Sequence, residues 1–100
     1  MNPLPIRLRR KALADIAEIR TWYRQIEASV EDRFVKDLNE TLDRIQAFPF
    51  AYQVHYRETR RSNLARSPYG VYYLVKGSAI VILAVLHHKR DPRLARRRAE

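Results

Sequence analysis

The sequence feature that most constrains the fold is an uninterrupted apolar segment, Ala79–Leu86, which is rich in β-branched residues. A strand that is solvated on one face alternates apolar and polar residues, whereas a strand that is apolar at every position must be covered on both faces. The segment is also far shorter than the ~20 residues that a membrane-spanning helix needs. We therefore predict a central strand of a sheet, with a layer of helices on one side.

The residues around this segment predict a meandering antiparallel sheet in the second half of the chain. Val71–Val75 is a β-branched and aromatic run, and Gly77-Ser78 suits a two-residue hairpin turn between the two runs. Upstream, Tyr52–Tyr56 is predicted to be extended, and Thr59–Arg66 is predicted to be an arginine-rich edge strand.

The first half predicts a short strand and two helices. Ile6–Arg9 alternates apolar and basic residues, as a strand with one buried face does. From residue 11 to residue 27 the apolar period becomes that of a helix. The stripe on this first helix consists of Ala12, Leu13, Ile16, Ile19, Tyr23 and Ile26.

A second helix is predicted to begin at Ser29–Asp32, which matches a capping pattern of a hydroxyl followed by a carboxylate. Pro49 ends this helix after Phe48, because proline removes a backbone donor and disfavours helical geometry in the residue before it. With so short a link, the helices should pair as an antiparallel hairpin. The second stripe consists of Val30, Phe34, Leu38, Leu42 and Ile45.

Length and cysteine content narrow the class of protein. One hundred residues, 46% of them hydrophobic, suit one domain with a single core. The absence of cysteine excludes disulfides, thiolate metal sites and cysteine nucleophiles, and it is compatible with a reducing compartment. Residues 1–7 lack the apolar stretch of a signal peptide, so we expect a cytoplasmic protein without a membrane partner.

The net charge of +9 is concentrated in the second half. Residues 1–50 carry nine basic and eight acidic side chains, whereas residues 51–100 carry eleven basic and three acidic ones. Such a field attracts phosphate backbones, acidic proteins or anionic lipid surfaces, and charge alone does not choose among them. The plain alternative is a solvated basic surface. We predict an acidic macromolecular partner.

The ordered set of elements and motifs resembles the RelE/ParE toxin superfamily of bacterial type II toxin–antitoxin pairs. The resemblance covers nearly the whole chain, as a toxin domain over residues 1–92 followed by a basic tail, 93–100, that is either helical or disordered. It implies an α+β fold with an N-terminal strand, an antiparallel helix hairpin and a meandering antiparallel sheet with the helices packed on one face. The matching segments are Ala12–Ile19, Thr21-Trp22-Tyr23, Leu42 to Pro49, Arg60-Arg61, Ser67-Pro68-Tyr69, Val71-Tyr72-Tyr73 and Val85–Pro92.

The resemblance implies a toxin that is neutralised by a small acidic antitoxin. The ending of the chain is closer to the ParE-like branch. That branch is associated with inhibition of DNA gyrase and has no hydrolytic role. The alternative is a RelE-like endoribonuclease that cuts mRNA on the ribosome. The residues expected to bind the antitoxin are Arg60, Arg61, Arg66, Tyr72, Lys89 and Arg90. The candidate catalytic residues of a ribonuclease are Arg61, Tyr73, His87 and Arg90, with Lys89 as a further cation.

Several of these residues also have structural interpretations. His87 at the end of an apolar strand is as readily a structural histidine, His88 should be exposed, and Trp22 is either half-buried or a partner contact. Either Tyr72 or Tyr73 should face outward if their strand alternates. A basic nucleic-acid-binding module is a second alternative function. The sequence predicts neither a metal site nor a cofactor, since its histidines are not clustered with carboxylates at ligand spacing.

Overall fold

The computed structural model describes residues 3–100, and it confirms the predicted α+β order of elements; Met1 and Asn2, with which the predicted domain begins, lie outside the described residues. The sheet contains five strands in the order β1-β5-β4-β3-β2. No helix within residues 3–100 has the length and apolar character needed to cross a membrane. The elements are β1 (Ile6–Leu8), α1 (Arg10–Ile26), α2 (Ala28–Ala47), β2 (Val54–Tyr56), β3 (Thr59–Asn63), β4 (Tyr69–Lys76), β5 (Ala79–His87) and α3 (Pro92–Ala99).

Strands β2 to β5 form the predicted antiparallel meander, and β1 pairs in parallel with β5, so the whole sheet is mixed. The predicted hairpin turn is confirmed, because Lys76 pairs with Ala79 and Gly77 adopts a φ of +60°, a backbone conformation that glycine accepts without steric cost. The prediction that β3 is an edge strand is wrong. The three-residue strand β2 pairs with the outer side of β3, so β2 is the edge strand.

Helices α1 and α2 cover one face of the sheet and enclose the main core. Most of both predicted stripes is buried or half-buried there, and α2 ends at Ala47, as Pro49 predicts. Two members of the α1 stripe are exceptions, since Leu13 is 54% exposed and Ile26 is 58% exposed. The apolar face of α1 is wider than the surface that packs on the sheet and α2, and these two residues lie at its margins.

Helix α3 covers the opposite face of the sheet. Ala95 and Leu94 pack on Tyr72, Ala84 and Leu86, which form a second and smaller core. The tail is therefore helical, and β5 is covered on both faces as its composition predicts. The expectation that Tyr72 or Tyr73 faces outward is wrong, because α1 and α2 bury one ring and α3 buries the other.

Residues 83–87 of β5 have no strand along their outer edge, because β1 pairs only with Ile80–Ile82. Side chains occupy this edge instead. The Asp15 carboxylate accepts a hydrogen bond from the Val85 backbone N–H at 3.0 Å, and Arg98 Nη1 donates to the Leu83 carbonyl at 3.2 Å. Arg98 also forms an ion pair with Asp15 at 2.8 Å. These bonds connect α1, β5 and α3, and they satisfy backbone groups that would otherwise be open to another strand.

A single residue, Glu27, separates α1 from α2. Glu27 is the N-cap of α2 and makes no side-chain capping bond, so the prediction that Ser29 caps this helix is wrong; Ser29 lies within the first turn. The acidic member of the predicted pattern, Asp32, is exposed. Its neighbour Glu31, which the pattern did not single out, is only 6% exposed and pairs with Arg20 at 2.9 Å and with Arg24 at 2.6 Å. The short link brings Glu31 against α1, where it closes the hairpin.

This ion-pair cluster predicts a dependence of stability on pH. Hydrogen bonding from Arg24 lowers the pKa of the Glu31 carboxyl to about 2, from an ordinary value of 4.5. A carboxylate with a lowered pKa stabilises the fold fully above its unfolded-state pKa, and this contribution disappears as the pH falls toward its folded-state pKa. We expect Glu31→Gln to lower the unfolding temperature at pH 7, and the deficit should shrink as the pH falls from about 4.5 to about 2.

Asp32→Asn is the matched control, because Asp32 is an exposed carboxylate in the same part of α2. Thermal unfolding followed by circular dichroism across this pH range compares the two variants. A deficit of Glu31→Gln that equals that of Asp32→Asn at neutral pH, or that persists unchanged in acid, would contradict a stabilising role for the cluster.

Candidate functional site

The sequence-predicted site residues lie in three separate places. Arg61 and Tyr72 are cross-strand partners on the sheet face that α3 covers. Arg60 and Tyr73 are the neighbouring pair and therefore lie on the face that α1 and α2 cover. The remaining residues lie at the end of the sheet where β5 finishes and the β3–β4 loop turns. They are Arg66, His87, Lys89 and Arg90.

Tyr73 is fully buried in the main core, with an exposed fraction of 0%. Its hydroxyl donates a hydrogen bond of 2.7 Å to the carbonyl of Pro49, and burial raises the pKa of Tyr73 to about 12. A hydroxyl in this environment keeps its proton at neutral pH. Its position makes Tyr73 the link between the end of α2 and the sheet.

His87 is half-buried at the end of β5, where its ring lies edge-on to Tyr69 with 5.2 Å between the ring centroids. Its Nδ1 accepts a hydrogen bond from the Lys89 backbone N–H at 3.0 Å, and Arg90 N–H donates to the His87 carbonyl at 2.9 Å. Both bonds shape the turn after β5. The structure therefore does not bring Arg61, Tyr73 and His87 around one common point.

The two adjacent arginines of β3 differ in environment. Arg60 Nη1 donates to the carbonyls of Phe50 at 3.2 Å and Tyr52 at 2.7 Å, and its guanidinium lies 5.5 Å from the centre of the Phe50 ring. Arg60 thus holds the connection between α2 and β2. On the other face, the aliphatic part of Arg61 runs over Gly70, where a Cβ atom would come within 3.2 Å of the Arg61 side chain.

The residues at the end of the sheet form an exposed surface with both charge and apolar area. We call it the loop-end surface and define it by Trp22, Arg33, Arg66, Pro68 and Arg90. Trp22 is 56% exposed, and grooves of about 450 and 210 Å³ lie at this end. The larger groove is lined by Tyr23, Val30, Arg33, Phe34, Lys36, Arg66, Ser67 and Pro68, and the smaller one by Asp15, Glu18, Ile19, Trp22, Tyr69, Val85, Leu86, His87 and Arg90.

Asp37 of α2 positions the loop that carries Arg66. This buried carboxylate accepts hydrogen bonds from the backbone N–H groups of Ala65 at 3.2 Å and Arg66 at 3.0 Å. The Arg66 side chain is 74% exposed, and its Nη1 lies 3.4 Å from Glu40. Sequence reasoning missed Asp37, although its place beside Leu38 on the apolar stripe of α2 was a signal, because a carboxylate there needs buried donors.

An aromatic cluster supports the loop-end surface from inside. Tyr69 packs on Phe34 at 5.5 Å and on Tyr23 at 6.3 Å between ring centroids, and Trp22 packs edge-on to Tyr23 at 5.1 Å. Burial raises the pKa of Tyr69 to about 12. Because these rings join α1, α2 and β4, the surface has a rigid floor.

We find no metal centre in the described part of the chain. Residues 3–100 contain no group of three histidine, cysteine, aspartate or glutamate side chains close enough to hold a metal ion. At the loop-end surface, apolar side chains lie between cationic ones.

Comparison with known proteins agrees with this fold. The family model described as "ParE toxin of type II toxin-antitoxin system, parDE" matches residues 6–92. A solved structure from P. aeruginosa, described as a chromosomal ParDE TA system, superposes with a TM-score of 0.74 at 26% identity, over 84% of this chain and 95% of that one. No curated protein sequence matches the chain. Because the family model spans most of the sequence, the chain belongs to the ParE toxin family and is the toxin component of a type II toxin–antitoxin system.

Proposed function

We propose that this toxin acts in the cytoplasm on DNA gyrase and that it does so by binding, without a hydrolytic step. The observation that carries the proposal is the environment of Tyr73, whose hydroxyl is buried and donates to the Pro49 carbonyl. The principal alternative, mRNA cleavage, requires a group that removes the 2′-hydroxyl proton, cations that stabilise the phosphorane and an acid for the leaving oxygen.

The positions of the other catalytic candidates support the same proposal. Arg61 lies on the face of the sheet opposite to Tyr73, and His87 engages its Nδ1 in the turn after β5. Register separates His87 from Tyr73 as well, because His87 pairs with Tyr69, four residues before Tyr73 on β4. A phosphodiester in contact with one of these groups would lie away from the others.

We further propose that an acidic antitoxin binds the loop-end surface. Three of the six residues predicted to contact an antitoxin, Arg66, Lys89 and Arg90, lie at this end and are exposed. The other three have different environments, since Arg60 is bonded to backbone carbonyls, Arg61 lies against Gly70, and Tyr72 is beneath α3. The antitoxin would contact Tyr72 only if α3 moved.

The chemistry of the loop-end surface defines the segment that would fit it. Arg33, Lys36 and Arg66 surround the larger groove, whose floor includes Tyr23 and Phe34. An amphipathic segment with carboxylates flanking apolar residues would bury its apolar side chains in the groove and pair its charges at the rim. Central apolar contacts would supply most of the affinity, and the rim charges would favour rapid and specific association.

The proposal without hydrolysis predicts that the catalytic candidates are dispensable. After brief induction in bacteria without the antitoxin, wild-type chain and His87→Gln should both arrest growth, and mapping of RNA 5′ ends should show no new cuts in codon register. Tyr73→Phe should also arrest growth, with stability lowered by about 1 kcal/mol because the Pro49 carbonyl loses its donor. Codon-register cuts that disappear in His87→Gln would establish the ribonuclease function instead.

The antitoxin proposal predicts a localised effect of charge reversal. Arg66→Glu combined with Arg90→Glu should weaken antitoxin binding by well over tenfold, because each reversal replaces an attraction to a partner carboxylate with a repulsion. Arg10→Glu combined with Lys11→Glu is the matched control. It changes the net charge by the same amount, but at the exposed start of α1, away from the loop-end surface. Calorimetric titration compares the two pairs; equal losses would show that net charge alone drives binding and would refute this placement.

A further inference from the structure

A second basic surface lies on the sheet face that α3 covers, between α3 and the β2–β3 hairpin. We call it the arginine cleft and define it by Tyr56, Arg57, Arg93, Arg96 and Arg97. It is an open cleft of about 460 Å³, lined by Tyr56, by the three arginines of α3 named here and by Glu100 at the end of that helix. Neither the antitoxin surface nor the catalytic candidates include these residues.

Tyr56 organises the cations of the cleft. The Arg57 guanidinium lies 5.2 Å from the centre of the Tyr56 ring, and the Arg96 guanidinium lies 5.5 Å from it. Both distances fall within the range of a cation–π interaction, which restrains each side chain without neutralising its charge. The Tyr56 ring therefore contacts two cations, one from the β2–β3 turn and one from α3.

Arg57 also has an unusual backbone conformation. Its φ is +53°, in the left-handed region, and it is the one described residue other than glycine with a positive φ. Such a conformation is strained in a non-glycine residue, and outliers of this kind concentrate at functional sites. Glycine would fit the turn more easily but would supply no guanidinium.

The charge of the cleft is largely uncompensated. Within residues 3–100, Arg57, Arg96 and Arg97 form no salt bridge, whereas Arg93 is paired with Asp91 at 2.8 Å. Glu100 is the one acidic residue that lines the cleft. Behind the cleft, His55 has its pKa lowered by burial and by the charges of Arg61 and Arg96, so the surrounding field is positive as well.

We propose that the arginine cleft binds the phosphodiester backbone of nucleic acid. Planar guanidiniums match phosphate oxygens in bidentate geometry, and they keep their charge at every physiological pH. An acidic protein partner is the less favourable occupant, because protein interfaces need an apolar centre. The large apolar side chains that the structure leaves exposed, which include Trp22 and Phe48, do not line the cleft.

The proposal does not rest on the choice between gyrase and mRNA as the target. The arginines of α3 lie beyond residues 6–92, the part of the chain that the ParE family model matches. Binding through these arginines would be independent of sequence, because contacts to phosphates position a protein on nucleic acid without reading its bases.

The test is fluorescence anisotropy of the full-length chain with a labelled DNA duplex of about 20 base pairs, titrated at several salt concentrations from about 50 to about 200 mM. Arg96→Gln combined with Arg97→Gln should raise Kd roughly tenfold and should reduce the salt slope by about one for each arginine that contacts a phosphate. Arg33→Gln combined with Lys36→Gln is the charge-matched control on α2, and it should leave DNA binding within about twofold of wild type.

Each further outcome decides the proposal. Equal losses in the two double variants, or no DNA binding by wild type at the lowest salt, would overturn it. Polyglutamate that competes as well as unlabelled DNA at equal charge would identify a general acidic-protein surface and would also overturn it. If the double variant unfolds, Arg97→Gln alone repeats the test. Arg97 forms no salt bridge within residues 3–100, so its replacement breaks no ion pair of the fold. Antitoxin affinity, measured on the same samples, should fall in the Arg33 and Lys36 double variant and should stay unchanged in the Arg96 and Arg97 double variant.

Discussion

The architecture depends on how the open edge of β5 is closed. The strand is apolar along its length and must be buried, yet β1 pairs with only three of its residues. Asp15 and Arg98 satisfy the backbone groups beyond that point, and they do so from helices on opposite faces of the sheet. One ion pair thus fixes α1 and α3 against the same strand. It also protects the edge from pairing with another chain.

This closure separates the two basic surfaces of the molecule. Because α1 and α2 cover one face and α3 covers the other, the apolar part of the sheet is buried and the charges remain at its margins. The loop-end surface combines exposed apolar groups with cations, as a protein partner requires, whereas the arginine cleft is built from guanidiniums around one tyrosine. We propose the first as the antitoxin surface and the second as a nucleic-acid surface, so the two partners would not compete for the same residues.

Much of this fold could be predicted from the sequence, because strong local signals coincide with it. The apolar run of β5, the Gly77 turn and the Pro49 helix stop all depend on nearby residues. The wrong predictions concern residues whose environment is set by tertiary contacts and not by nearby residues. The Tyr72 side chain is buried by a helix whose sequence resembles a basic tail. Glu31 pairs with arginines of α1, although the sequence pattern singled out its neighbour Asp32 as the capping carboxylate. Arg60 and Arg61 look alike in sequence, but strand alternation places them on opposite faces. The positive φ of Arg57 could not be predicted, because nothing in the sequence marks an arginine whose backbone is in the left-handed region.

The most direct test of the account is a supercoiling assay with purified toxin, DNA gyrase and relaxed plasmid. We expect the toxin to inhibit ATP-dependent supercoiling, the cognate antitoxin in equal amount to relieve the inhibition, and folded Tyr73→Phe to inhibit as well as wild type. Gyrase that remains fully active, together with cleavage of mRNA in a purified translating system, would contradict the central claim that this fold acts by binding and not by hydrolysis.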